Sequence, residues 1–274
     1  MTGALLDGVN WEIVAVFAAL VLLEGLRRVP AGALVLTGSG PGGWRPQGEP
    51  ELRPRWRLIS WWSPVAPALL LPPLEGAPLL QRGDIEARLH LVRRLAPWLT
   101  VSAAATLLAL IFGLPVVTAR FGAVGFLTGT AVVLALAVIN GAAGRSALRR
   151  LGPAPHRARI LAWCSPFAAG RVLEGVFEAA LTGASPAQAV RALAGETVFA
   201  TWCRSRAYDV VFQGAEDPDL HAAADRATLE AIVASPPRAG AGGVSFCPRC
   251  AATWRLHSDA CPACAVPLAG LPGV

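Results

Sequence analysis

Four of the six cysteines in this 274-residue chain stand at a spacing that can do chemistry. Cys247-Pro248-Arg249-Cys250 and Cys261-Pro262-Ala263-Cys264 are two CxxC turns with ten residues between them. Two such turns let four thiolates converge on one tetrahedral ion, with Zn–S distances of about 2.3 Å. Four protein ligands leave no position for water, so the site is expected to be structural rather than catalytic. Iron accepts the same four-thiolate set, and the spacing alone does not separate the two metals. A redox CxxC would more naturally be single and sit in a βαβ context. The other two cysteines, Cys164 and Cys203, read as small buried hydrophobes. No Ser-His-Asp set, P-loop, GxGxxG or HExxH is present, so no catalytic residue is nominated and an enzyme is not expected. His90 reads as a solvated helix residue, His156 as part of a Pro/Arg linker and His221 as part of a polar helix start, while His257 lies between the knuckles, where four cysteines already complete the shell.

A segment of about 30 residues cannot bury enough apolar surface to fold by itself. Bound zinc supplies the missing energy, of order 10 kcal/mol in small zinc peptides. Trp254, Leu256, Val266 and Leu268 are the side chains expected to cover the site. Residues 246–268 resemble the bacterial zinc-ribbon family with paired CPxC knuckles, and the resemblance extends to no other part of the chain. It implies that Cys247, Cys250, Cys261 and Cys264 hold a structural zinc. The family often places glycine after each knuckle, whereas this chain has Ala251 and Ala265. If those positions need a left-handed backbone, each alanine costs on the order of 1 kcal/mol.

The elements that position this module are read from charge and hydropathy. The chain is 54% hydrophobic and 15% charged, with mean hydropathy +0.50. Soluble domains carry about 25% charged residues, so the deficit argues for a membrane protein and against a disordered chain or a small disulfide scaffold. Every basic residue is arginine, as a coding bias would produce, so the placement of charge is more informative than its amount. Residues 95–119 and 121–144 are uncharged and only Arg120 separates them. Each run is long enough to cross a hydrocarbon layer of about 30 Å, and a connection that short makes a tight antiparallel hairpin. A weaker span runs over residues 9–26 around the apolar core 13–23, with Glu12 and Glu24 near its ends and Glu24 four residues from Arg28. The basic n-region of a signal peptide is missing, so this span reads as an uncleaved anchor. Residues 58–74 are also uncharged but contain Pro64, Pro67, Pro72 and Pro73, and read as interfacial or re-entrant. Arg27, Arg28, Arg88, Arg93, Arg94, Arg145, Arg149, Arg150, Arg157 and Arg159 all flank one end of the spans. That places the N-terminus outside and the C-terminus in the cytoplasm.

Outside the spans, residues 33–37 and 56–60 are short β-like runs that could form a small hairpin. Residues 84–95 read as a helix leading into the second span. Ser185-Pro186-Ala187-Gln188 is a capping box, followed by an apolar stripe of Val190, Leu193, Val198 and Trp202. Asp217-Pro218 opens another helix carrying Leu220, Leu229 and Ile232, and residues 160–183 form one more. Glu174, Glu178 and Glu196 are expected on solvated faces. The expected fold is an all-α membrane protein of three transmembrane helices, two of them a tight hairpin, with a helical cytoplasmic region and a small C-terminal zinc ribbon. The segments are 1–28 anchor, 29–94 interfacial, 95–144 hairpin, 145–234 helical, 235–243 linker and 244–274 ribbon.

The expected location is the bacterial plasma membrane, multi-pass, and the expected role is an integral membrane scaffold or adaptor. Its partners would be the lipid bilayer, a cytoplasmic protein and, as an allowed arrangement, further copies of itself. The alternatives are a component of a transport complex and a nucleic-acid-binding membrane regulator. The ribbon's net charge of +1, from Arg249 and Arg255 against Asp259, is a weak footprint for nucleic acid.

Overall fold

The computed structural model describes residues 9–29, 31, 33–38, 43–47, 55–58, 68–71, 80–151, 164–237, 243–255 and 259–271. The chain divides into two compact units, residues 1–73 with 83–182 and residues 74–82 with 183–274.

The first unit is built on a long apolar segment. Helix α2 (Arg82–Leu108) continues through Pro97 into a π-helical turn, Ala109–Gly113, and then α3 (Leu114–Leu151). The wide turn occurs where Pro115 cannot donate an amide hydrogen, and the Leu114 amide bonds back to Ala109. At Gly122 the backbone leaves the helix (φ 56°, ψ −135°) and the chain reverses. The reversal brings Ser102 and Asn140 together, 38 residues apart in sequence, with Ser102 Oγ 2.5 Å from Asn140 Oδ1. The turn is centred on Gly122 rather than Arg120 because only glycine, lacking a Cβ, readily takes that conformation.

Arg82–Leu151 is the one stretch among the described residues long and apolar enough to cross a membrane. Its most apolar window has mean hydropathy 2.2, yet only 17% of that window is buried. Trp98, Val124 and Leu127 are each more than two-thirds exposed.

Helix α1 (Trp11–Gly25) is N-capped by Asn10, whose side chain accepts from the Glu12 and Ile13 amides. Its 15 residues extend about 22 Å, short of the hydrocarbon thickness of about 30 Å. Three membrane-crossing helices are therefore not supported by length. The helix stops early because Leu26–Val29 is drawn into strand β1. Arg28 thus lies outside α1, and Glu24 pairs with Arg171 at 3.1 Å instead of with Arg28. Phe17 and Val21 of α1 pack on Leu110, Leu114 and Val133 of the hairpin.

The expectation of an all-α fold is corrected by three small sheets. β1 pairs antiparallel with β4 (Arg55–Leu58), and β2 (Leu34–Gly38) lies between β3 (Trp44–Pro46) and β5 (Ala68–Leu71). The runs 33–37 and 56–60 do enter strands, but in different sheets, so they form no hairpin with each other. Residues 68–71 of the supposed re-entrant stretch are a strand, while its prolines and Trp61 and Trp62 lie outside the described residues. Helix α4 (Arg171–Ala180), preceded by a 3₁₀ turn at Pro166–Ala168, packs on α3 and β5. Phe177 meets Trp44 edge-on at 5.0 Å. Glu174 is fully buried in this layer, not solvated as expected, because α4 is covered on the face that carries it.

The second unit holds α5 (Pro186–Ala194), α6 (Glu196–Phe212), α7 (Pro218–Ala223) and α8 (Arg226–Ala234). The capping box forms: Ser185 Oγ accepts from the Gln188 amide at 3.1 Å, and Gln188 Oε1 accepts from the Ser185 amide at 2.9 Å. Gly195, at φ 81°, divides what reads as one helix into α5 and α6. Asp217 and Asp225 cap α7 and α8 separately, so the helix read from Asp217 through Ile232 is two. A carboxylate–guanidinium cluster ties the starts of α7 and α5 to α6. Arg206 makes paired bonds of 2.8 and 2.9 Å to Asp217, and Asp219 Oδ1 accepts from the Ala187 amide at 2.9 Å.

Candidate metal centre

The two CxxC turns are superposable in their bonding. In the first, the Ala251 amide donates to Cys247 O (2.9 Å) and the Cys247 amide to Ala252 O (2.9 Å). In the second, the Ala265 amide donates to Cys261 O (2.7 Å) and the Cys261 amide to Val266 O (2.8 Å). Strands β6 (Ser245–Phe246), β7 (Thr253–Trp254) and β8 (Ala269–Gly270), with β6 central, hold the turns face to face. The intervening ten residues make the return, and residues 256–258, including Leu256 and His257, lie outside the described residues.

The four sulfurs all lie within 4.8 Å of one another, and Cys250 Sγ is 3.8 Å from Cys261 Sγ. A tetrahedron with 2.3 Å Zn–S bonds has S···S edges of about 3.8 Å, so the donor set fits zinc in both chemistry and size. Cys247, Cys250, Cys261 and Cys264 would hold the ion, which when bound supplies cross-linking energy and no reaction. Burial opposes ionisation of Cys261, but the amides of Ala263 and Cys264 and the neighbouring thiols outweigh it and bring its pKa down to about 7. Burial, in contrast, raises the pKa of Cys247 and Cys250. Cys247 and Cys261 are buried and pack with Val266, flanked by Trp254, Leu268 and Tyr208. Trp254, Val266 and Leu268 are the covering residues expected; Tyr208, from α6, is not among them.

Ala251 and Ala265 are the two described non-glycine residues with positive φ, at 61° and 53°. The strain that the alanines imply is therefore present, about 1 kcal/mol at each position. Ala251→Gly and Ala265→Gly should each tighten zinc binding by roughly threefold, because relief of strain exceeds the extra chain entropy of glycine. Competition against a chromophoric chelator reads this directly. Unchanged or weaker binding in both variants would show that the turns are relaxed with alanine.

The module is not a free appendage of a linker. Arg204 of α6 is buried, and its Nη1 donates to Val233 O at 3.2 Å and to Pro248 O of the first knuckle at 3.4 Å. Its Nη2 donates to Ser235 O, and its guanidinium sits 6.0 Å over the Phe246 ring. Arg249, inside the first CxxC, donates to Asp209 of α6 at 3.0 Å. One arginine thus satisfies the carbonyls at the end of α8 and one carbonyl of the knuckle together. Sequence reading missed both contacts, since nothing in an all-arginine chain distinguishes a buried guanidinium from a solvated one.

Cys203 is fully buried, and burial pushes its thiol up to about 12, which fits an inert core residue. Cys164 is half-buried. His90 and His221 are exposed, and His156 lies outside the described residues. Of the carboxylates, Glu196 is exposed and pairs with Arg191 at 2.7 Å and Arg82 at 3.2 Å. No family model, no curated protein and no solved structure matches the chain.

Proposed function

We propose that the protein is an integral membrane scaffold that presents a metal-closed helical unit to a cytoplasmic protein partner. The observation that carries the reading is the 70-residue Arg82–Leu151 hairpin segment, apolar throughout its centre and left bare in the fold. Water would not tolerate that much exposed apolar surface, and lipid would. Helix α1 packs alongside the hairpin through Phe17 and Val21, and its C-terminal Glu24 meets Arg171. That arrangement favours a shorter helix inserted beside the hairpin, and the arginines at the open end of the arms favour a zinc ribbon in the cytoplasm of a bacterial inner membrane.

Two observations favour a scaffold over the alternatives. Asn140, buried within the hairpin, is bonded to Ser102 and, through Nδ2, to Ala169 O at 2.9 Å, which is how a structural staple behaves and not a permeation path. Of the ribbon's two arginines, Arg249 is spent on Asp209, which weakens an already slight basic footprint for nucleic acid. The protein should resist carbonate extraction, and protease added to sealed cells should leave its C-terminus intact. Affinity capture from detergent-solubilised membranes should recover a protein partner that is lost with Cys247→Ser. Release by carbonate would end the membrane reading, and an unchanged set of partners in the variant would end the scaffold reading.

A further inference from the structure

We propose that the base of the hairpin is a binding site for anionic glycerophospholipid, formed by Arg94 on α2 and Arg145, Arg149 and Arg150 on α3. The proposal rests on the membrane reading above and goes beyond it, from insertion to selection of headgroup.

The hairpin register places these residues. Ser102 is opposite Asn140, so position 94 on one arm is level with position 148 on the other. At 1.5 Å per residue, Arg145 lies about 34 Å from the Gly122 turn, and Arg149 and Arg150 about 41 Å from it. Arg94 lies about 42 Å from the turn by the same measure along its own arm. The hydrocarbon layer is about 30 Å thick, and 40–45 Å with headgroups. With Gly122 at one face, Arg145 is therefore just outside the hydrocarbon and the other three are at phosphate depth.

Trp98 fixes the same level independently. It is 76% exposed, one turn above Arg94 on the bilayer side, at the depth where interfacial indoles settle. Burial sorts the faces accordingly. Val92, Leu99, Ala147, Leu148 and Leu151 are buried between elements, while Arg94, Arg145, Arg149 and Arg150 point outward and are exposed. No carboxylate of the described residues pairs with any of these four arginines. Positive-inside bias requires only that arginine be near a span's end. Here four exposed guanidiniums on two antiparallel arms fall within about 8 Å of depth at that rise per residue, each able to grip a phosphate with two parallel N–H donors. A zwitterionic headgroup brings its own cation to this collar and an anionic one does not.

The test uses the full chain reconstituted in vesicles, with Trp98 as reporter. Quenching by brominated phosphatidylglycerol is compared with quenching by brominated phosphatidylcholine, and the Trp98 signal is isolated by difference from Trp98→Phe. Phosphatidylglycerol should be enriched roughly five- to twentyfold around Trp98. The combined Arg94→Gln, Arg149→Gln, Arg150→Gln variant should fall to parity while remaining carbonate-resistant. In the unaltered protein, 1 M salt should reduce the enrichment, because the screening length shrinks from about 10 Å to about 3 Å. Parity in the unaltered protein, enrichment indifferent to salt, or enrichment retained by the triple variant would overturn the site while leaving insertion intact. Absence of quenching by either lipid would instead overturn the membrane reading itself.

Discussion

Removing the metal should loosen the helical unit and not the ribbon alone. Chelation, or Cys247→Ser, is expected to abolish stoichiometric zinc binding and to unfold residues 244–271, whose small core centres on the sulfurs. The consequence then travels through Arg204. With the knuckle gone, its buried guanidinium loses the Pro248 carbonyl and the Phe246 ring but stays in an apolar surround beside Val233 and Ser235. A hydrogen bond to a charged group contributes about 1.5–3 kcal/mol, and a cation over an aromatic ring about 0.5–2 kcal/mol. The Arg249–Asp209 pair, about one-third exposed on the arginine side, adds less, because solvent screens it. A loss near 3 kcal/mol corresponds to a fall of roughly 10–20 °C in the melting of a unit this size. Hydrogen exchange on the full chain in nanodiscs should show amides of α8 becoming unprotected on chelation. Arg204→Lys in the zinc-loaded protein should give part of that change, since an ammonium cannot reach carbonyls on both sides of α6 in one plane. If α8 exchanges at the same rate with and without zinc, the ribbon and the helices are energetically independent.

The parts of this fold legible in the sequence are those whose cause is local. Thiolate spacing, the Ser185–Gln188 box and the Asp217 cap each depend on residues within a few positions, and each appears where the residue types place it. The strain at Ala251 and Ala265 was legible for the same reason: a knuckle's backbone shape follows from its own bonding. The hairpin followed from two uncharged runs and the single charge between them. What was hidden depends on distant partners. Strand β1 pairs with β4 across some 30 residues of Gly/Pro-rich chain, and that pairing, not helix propensity, ends α1 at Gly25. Glu174 looked solvated because its own helix gave no hint of the α3 and β5 layers above it. Gly195 was the visible signal for the α5–α6 break, but an apolar stripe that continued across it masked the stop. Arg204 had no signal at all.

Gly125→Ala should be among the most damaging single-methyl additions in the chain. A Cβ at Gly125 would lie 2.2 Å from the Val117 carbonyl oxygen and 2.9 Å from Phe121 Cβ. The first contact is with backbone, so no rotamer change relieves it, and the arms must separate just where the turn at Gly122 forces them together. Overpacking costs 1–3 kcal/mol where side chains can yield, and the cost here should be at or above about 3 kcal/mol because they cannot. Gly122→Ala should cost about 1–3 kcal/mol, through backbone strain at φ 56° and ψ −135° alone, since nothing lies within 4 Å of the added methyl. Gly83→Ala, in open space at the start of α2, should be neutral or slightly stabilising. The three variants therefore rank by cause: steric contact at the reversal, backbone strain, then helix propensity. Thermal melts in detergent, followed by circular dichroism and by size-exclusion behaviour, measure that rank. Equal melting of Gly125→Ala and Gly83→Ala would mean that the arms do not approach at residues 117 and 125. The reversal would then have to lie elsewhere in the apolar segment, and the levels assigned to Arg94 and Arg149 would shift with it.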